Sequence, residues 1–446
     1  MKPRKHSLRW IPLAAALVLA GCATPVAFTP DASAPVPMIH PVAARWTDLG
    51  DPGLVAQIEA SLSGNLDVAQ AAERLRRSRA LAVAQAASRW PAADLTASAV
   101  ERDDRQRTGS ASLGLDLAWE IDLFGRIGSR TAAQEWRSAA AQADAQAVRR
   151  AVAAEVAHAW YARESALERL ELLNSLIGNR SATLRLVEQR SRAGLATPLD
   201  VARARSDLAA IEAEAPALLA QMAVASNRLS VLSGQQPDPA QHPVRATPLP
   251  DPRAFALALP EQAAWMKSRP DIAAAEARLR ALAMDVEAVR AEFLPRVSVG
   301  GFVGWLAGSA AGLSTAGTGA WVFAPSVSLP VFRAGALQAR LDAARSEERE
   351  ALLAYRQQVL RAAEEIENAR SRVNFGLARL NSLQERARES VRAESLAQRR
   401  YAAGASDLLE LLDAQRTAQQ AQLGLAEALG DHRQNVTWLL RALGAI

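Results

Sequence analysis

The sequence predicts a mainly α-helical chain that also carries four membrane-type β-strands, built by internal duplication of one unit. Three observations predict it. Residues 112–123 alternate strictly, with Leu113, Leu115, Leu117, Trp119, Ile121 and Leu123 apolar and Ser112, Gly114, Asp116, Ala118, Glu120 and Asp122 small or polar. Period two over that length gives a strand with one greasy and one wet face, and suits a tilted membrane-crossing strand, which needs about 9–11 residues. Phe124-Gly125 then ends the alternation, and no proline follows until Pro198, so a helix of unusual length is expected. The same order of features returns about 204–210 residues later.

The elements follow in order. Residues 1–21 read as a secretory signal: basic residues precede the apolar run Ile11–Ala20, which is too short to be a transmembrane helix. The run ends in Leu19-Ala20-Gly21-Cys22, which resembles a bacterial lipobox. Cys22 is the one cysteine of the chain and the group that can take a diacylglycerol, so lipidation at Cys22 is expected and an internal disulfide is impossible. Position 23 is Ala rather than Asp, which by resemblance to bacterial lipoproteins implies transfer to the outer membrane. Residues 22–52 contain Pro25, Pro30, Pro35, Pro37, Pro41 and Pro52 and read as an extended arm.

The first repeat is expected over 53–232 and the second over 253–446, with the Pro- and Gln-containing stretch 233–252 as linker. Leu66–Leu75 (LDVAQAAERL) and Pro270–Leu279 (PDIAAAEARL) open equivalent helices, which stop at Trp90-Pro91 and Leu294-Pro295. Strands are expected over Ala93–Arg102 and, with better alternation, Arg296–Leu306. Loops follow over Asp103–Ser110 and Ala307–Gly319, then the second strand of each pair, 112–123 and Trp321–Val331. Long helices run from Phe124 and Phe332 to the turns Arg192-Ala193-Gly194 and Ala402-Ala403-Gly404. About 65 residues at 1.5 Å each span roughly 100 Å, longer than any single globular core. Leu170, Leu173, Ile177, Leu184 and Val187 step like a coiled-coil seam. Return helices are expected over Pro198–Leu232, dented by Pro216, and Ser406–Leu443.

The chemistry excludes several classes. Removing Lys2, Arg4, Lys5 and Arg9 with the signal takes the formal charge from +5 to +1, which leaves no net-charge argument for nucleic acid. His6, His40, His158, His242 and His432 form no local metal-ligand pattern, and no GxSxG, P-loop or GxGxxG occurs, so neither an enzyme nor a cofactor is expected.

Four amphipathic strands leave two open edges, and lipid tolerates no unpaired backbone groups. Membrane barrels begin at about eight strands, so the chain must oligomerise: two copies give eight strands, three give twelve and room for a lumen.

WEIDLFGRI (Trp119–Ile127), Ala-Gln-Ala-Asp (Ala141–Asp144), SLPVF (Ser328–Phe332) and YAAGASDLLELLDAQR (Tyr401–Arg416) resemble the TolC-type outer-membrane efflux lipoproteins of the OprM/NodT branch, over nearly all of the chain beyond the arm. The resemblance implies a homotrimer, a twelve-stranded β-barrel in the outer membrane and a long α-helical barrel crossing the periplasm. It also implies docking to a periplasmic adaptor and an inner-membrane RND pump, with the channel as a passive duct.

The resemblance places the turns at the periplasmic tip, with Ala193, Gly194, Leu195, Thr197, Ala403, Gly404, Ala405 and Ser406 as candidate adaptor contacts; the bland alternative is turn residues only. Glu410 and Asp413, three apart on one helix face, match positions where that family carries acidic residues near the closed pore end. Asp200 holds the place of Glu410 in the first repeat. Carboxylates from several chains around one axis repel each other and favour cations, so a periplasmic gate is one reading; pairing with Arg399, Arg400 or Arg416 on a solvated face is the other. Trp119, Trp305 and Trp321 are expected toward lipid, Asp116, Glu120 and Asp122 toward the lumen, and the 102–107 charge cluster in an outer loop. Two competing functions stay open: a type I secretion or metal-efflux outer-membrane channel, and a periplasmic coiled-coil scaffold lipoprotein without a pore. The scaffold explains the helices but not the strands.

Overall fold

The computed structural model describes residues 46–101, 109–238, 249–251, 269–315 and 318–444. The signal, Cys22, most of the arm, the 102–107 charge cluster and much of the linker lie outside them.

The chain enters through a 3-10 turn, Trp46–Leu49, and α1 (Pro52–Gly64), then α2 (Leu66–Ala87), β1 (Ala92–Glu101), β2 (Gly109–Ile121) and α3 (Arg126–Arg192). The return is split into α4 (Pro198–Glu212) and α5 (Ala215–Leu232). The second half runs α6 (Pro270–Ala291), β3 (Arg296–Ala307), the single turn α7 (Gly312–Thr315), β4 (Thr318–Ser328), α8 (Ala336–Ala402) and α9 (Leu408–Leu443).

Several boundaries differ from the sequence expectation, each for a visible reason. The extended arm does not reach Pro52: Trp46 and Leu49 are buried, and Asp51 caps α1 by accepting from the Leu54 amide at 3.0 Å. β2 stops at Ile121 because Asp122 turns away and accepts from the amides of Ile127 (3.0 Å) and Gly128 (2.6 Å). Asp122 is therefore the N-terminal cap of α3 rather than a lumen charge, and it does for the helix what Gly125, left-handed at φ 75°, has no side chain to do. β4 occupies 318–328 rather than 321–331. The return helix breaks at Ala213 and Glu214, just ahead of Pro216, whose ring collides with the carbonyl four residues back. Pro198–Leu232 contains an 18-residue window apolar enough to cross a membrane by length and composition alone, yet the stretch packs along α3.

The sheet is antiparallel in the order β1-β2-β3-β4, so the hairpins of the two halves join at β2–β3. The register aligns one apolar face: Leu95, Leu115, Val303 and Trp321 form one row, and Leu113 and Trp305 pair in the next. Trp321 is 77 % exposed and Leu95 74 %, large apolar side chains that no element among the described residues covers. The other face is polar and small: Ser98 with Ser112, Ser298 with Ser326, Asp94 opposite Asp116, and Thr96 donating to Asp116. Phe302 lies on this face across Gly114 and Gly304, where a Cβ would sit 2.7 Å and 2.9 Å from its ring.

α3 and α8 are each 67 residues, about 100 Å, and carry the chain from the sheet to two turns at the far end. The predicted seam packs in two separate clusters, Leu170, Leu173 and Ile177 with Ile211 and Leu218, and Leu184 and Val187 with Tyr401, Leu408 and Leu411. The largest core lies midway, where Trp46, Leu54 and Ile58 meet Val156, Tyr161, Leu229, Val436 and Leu440. Beside it Gly64 and Gly234 cross so closely that a Cβ on either would stand 2.3–2.4 Å from a backbone oxygen. Buried Arg269 joins the start of α6 to α8 and α9, bonding Asp271 through two nitrogens (2.6 and 3.1 Å), Glu365 at 2.7 Å and the Ala442 carbonyl at 2.9 Å.

Candidate functional site: the paired helical turns

The two turns are built alike. After α3, the Leu195 amide reaches back to the Arg190 carbonyl at 2.8 Å; after α8, the Ala405 amide reaches the Arg400 carbonyl at 2.8 Å. Gly194 (φ 71°) and Gly404 (φ 74°) supply the left-handed residue this closure requires. Each return helix then opens with its own cap. Thr197 and Asp200 form a reciprocal capping box, the Asp200 amide donating to Thr197 Oγ1 at 3.2 Å and the Thr197 amide to Asp200 Oδ2 at 2.9 Å. In the second turn Asp407 Oδ1 accepts from the Glu410 amide at 2.8 Å. Hydrogen bonds from the Thr197 backbone and side chain hold the Asp200 carboxyl below the usual carboxylate range.

The structure brings the two turns together through residues that sequence reasoning did not single out. Arg190, on the last turn of α3, donates to the carbonyls of Tyr401 (2.9 Å) and Ala402 (3.0 Å), and its guanidinium lies 4.4 Å from the centre of the Tyr401 ring. A cation on the last carbonyls of α8 satisfies groups the helix cannot bond and sits at the negative end of its dipole. Higher up, buried Arg180 of α3 reaches Asp207 of α4 (2.7 Å), Gln419 of α9 (3.2 Å) and, at 4.0 Å, Glu394 of α8. Burial lowers the Arg180 guanidinium from its usual value and raises the Glu394 carboxyl. An arginine flanking a C-terminal glycine was the available signal for Arg190; its partner 211 residues away was not readable.

The acidic candidates are each engaged locally. Glu410 lies 3.1 Å from Arg400, Asp413 pairs with Arg416, and Asp200 is turned onto Thr197. Glu410 and Asp200 are thus equivalent in position but not in engagement. Glu410 and Asp413 keep their carboxylates in solvent, with side chains 44 % and 62 % exposed. Ala193, Gly194, Leu195, Thr197, Ala403, Gly404 and Ala405 are exposed at the turns, and Ser406 is partly covered. Leu195, 78 % exposed, is a large apolar side chain presented there without cover.

A strand pair and a 67-residue helix, written twice and ending in twin capped turns, can now be compared with known proteins. A family model described as outer membrane efflux protein matches residues 57–235 and again 262–445. The chain belongs to the outer membrane efflux protein family. OprJ, an outer membrane protein of Pseudomonas aeruginosa, is 33 % identical over 75 % of this chain and 70 % of its own length. SrpC of Pseudomonas putida, described as a solvent efflux pump outer membrane protein, is 30 % identical over 88 % of this chain and 85 % of its own. The solved outer-membrane channel OprN superposes with a TM-score of 0.84 at 36 % identity, over 91 % of this chain and 93 % of that one. This efflux protein is accordingly an outer-membrane channel component, with the sheet at the membrane end and the helices reaching into the periplasm.

Proposed function

We propose that three copies of this chain close into one conduit: a twelve-stranded barrel in the outer membrane, continued by an α-helical tube whose closed end is formed by the paired turns. The observation that carries this is the sheet, whose apolar face is uncovered and whose β1 and β4 edges have no partner among the described residues. Three fours make a barrel wide enough for a lumen, and the polar face with Ser98, Ser112, Asp116 and Ser298 would line it. The scaffold alternative leaves that apolar face in water.

Lipidation of Cys22 anchors the assembly, two or more acyl chains sufficing for stable attachment. The turns meet a periplasmic adaptor through Leu195 and the neighbouring Ala193, Gly194, Thr197, Ala403, Gly404, Ala405 and Ser406, and an inner-membrane RND pump supplies the energy. Glu410 and Asp413 of each copy converge on the axis as the gate, with Asp200, bonded to Thr197 of its own turn, adding the third carboxylate. The cargo is a small organic compound, as the description of SrpC as part of a solvent efflux pump favours.

The test is two-part. Protein reconstituted in planar bilayers should conduct ions, and a deletion strain should become sensitive to organic solvents or drugs. Complementation with Leu195→Asp should leave conductance intact and the sensitivity unrelieved. Lack of conductance removes the channel; a deletion strain deficient only in protein secretion or in metal tolerance replaces the cargo assignment.

A further inference from the structure

The helices form a row, α2 against α3, α3 against α6, α6 against α8, so one flank of α2 and one flank of α8 are its free ends. The contact at the centre of the row joins the two halves of the chain. α3 and α6 are tied by ion pairs that step by seven on both helices: Arg130 with Glu292 (2.8 Å), Arg137 with Asp285, and Asp144 with Arg278 (2.7 Å). α8 is the repeat counterpart of α3, since Gly335 and Gly404 follow Gly125 and Gly194 by 210. α2 is the counterpart of α6, since Pro91 precedes Pro295 by 204. Laying the free flank of one copy's α2 on the free flank of another's α8 therefore repeats the α3–α6 contact.

The transfer fixes heights. Asp144–Arg278 becomes Ala354 opposite Arg74, and Arg137–Asp285 becomes Glu347 opposite Leu81. Between these two points α2 exposes Arg74 and Arg77, and α8 exposes Glu347 and Glu350. None of these four is in an ion pair among the described residues; Arg74 bonds only to Gln70 of its own helix. Leu81 on α2 and Leu353 on α8, 52 % and 63 % exposed, lie in the same band.

We propose that Arg74 and Arg77 of α2 pair with Glu347 and Glu350 on α8 of a second copy, setting the register in which subunits join. The inference rests on the oligomeric reading above and adds the surfaces that meet. Basic against acidic at matched height identifies a second copy as the occupant, because the two unpaired charge sets lie on opposite ends of one chain's helix row and cannot reach each other within it.

A chain carrying Arg77→Cys and Glu350→Cys should form covalent oligomers on oxidation, reversed by reductant. Arg77→Cys with Glu364→Cys, about 21 Å further along α8, should not. Arg74→Glu with Arg77→Glu should lose the oligomer in native electrophoresis, and adding Glu347→Arg with Glu350→Arg should restore it. An oligomer by light scattering that yields no cross-link at 77–350, or an oligomer indifferent to the reversal or unrestored by the swap, overturns the assignment while leaving the channel reading in place. Wild-type protein that is monomeric in detergent removes the oligomeric reading itself.

Discussion

Arg190 shows what one side chain can do for two distant turns. It caps the carbonyls that α8 leaves open and stacks on Tyr401, while its counterpart Arg400 turns instead to Glu410. Hydrogen bonds from a charged donor and a cation–π contact together are worth about 1–3 kcal/mol where partly shielded. Arg190→Met keeps the apolar stem but removes both effects. Hydrogen exchange should then quicken at residues 399–405 while the midway core around Tyr161 keeps its protection; equal protection at the turns in the variant argues that the clamp contributes nothing. Gly404 is a poor probe of partner contact by comparison, since any L side chain at φ 74° strains the turn itself.

At the level of elements, α4 depends on its capping box. Replacing Thr197 with Ala should destabilise the α4 start by about 1 kcal/mol. The pH dependence has a definite sign. The folded Asp200 carboxyl is held below the usual carboxylate range by its bonds from Thr197. Its contribution is complete above the unfolded value and is lost as pH falls through the folded one, where protonation removes the acceptor for the Thr197 amide. Wild type should lose α4 protection on acidification, and Thr197→Ala should lose less over the same range; identical acid profiles would count against the box. The helix ends at Gly194 and Gly404 and the start at Pro198 were legible because they are local, whereas Thr197 and Asp200, expected at the partner contact and the gate, turn out to cap α4. The strand faces were legible for the same reason, since period two needs no partner to be seen. What stayed hidden depends on distant chain: Asp122 bending out of a continuing alternation to cap α3, Arg269 gathering α8 and α9, and Arg180 joining four helices. An alternating pattern cannot announce that its last polar residue has left the sheet.

For the whole molecule the proposed gate turns on what the acidic side chains of three chains do together. Within one chain Glu410 and Asp413 are neutralised by Arg400 and Arg416, pairs so exposed that each is worth little, roughly 0–1 kcal/mol. Three chains around an axis change this, because like charges from neighbours add while each arginine partner points along its own helix or turn. The carboxylates should then set the ion preference of the narrow end. In bilayers under a potassium chloride gradient, Glu410→Ala with Asp413→Ala should shift the reversal potential toward the non-selective value. Arg400→Ala alone, which frees Glu410, should shift it the opposite way, toward stronger cation preference. Opposite shifts require that the acids face the ion path and that Arg400 screens them. If both variants leave the reversal potential where wild type has it, the acidic side chains are solvated surface and do not face the ion path.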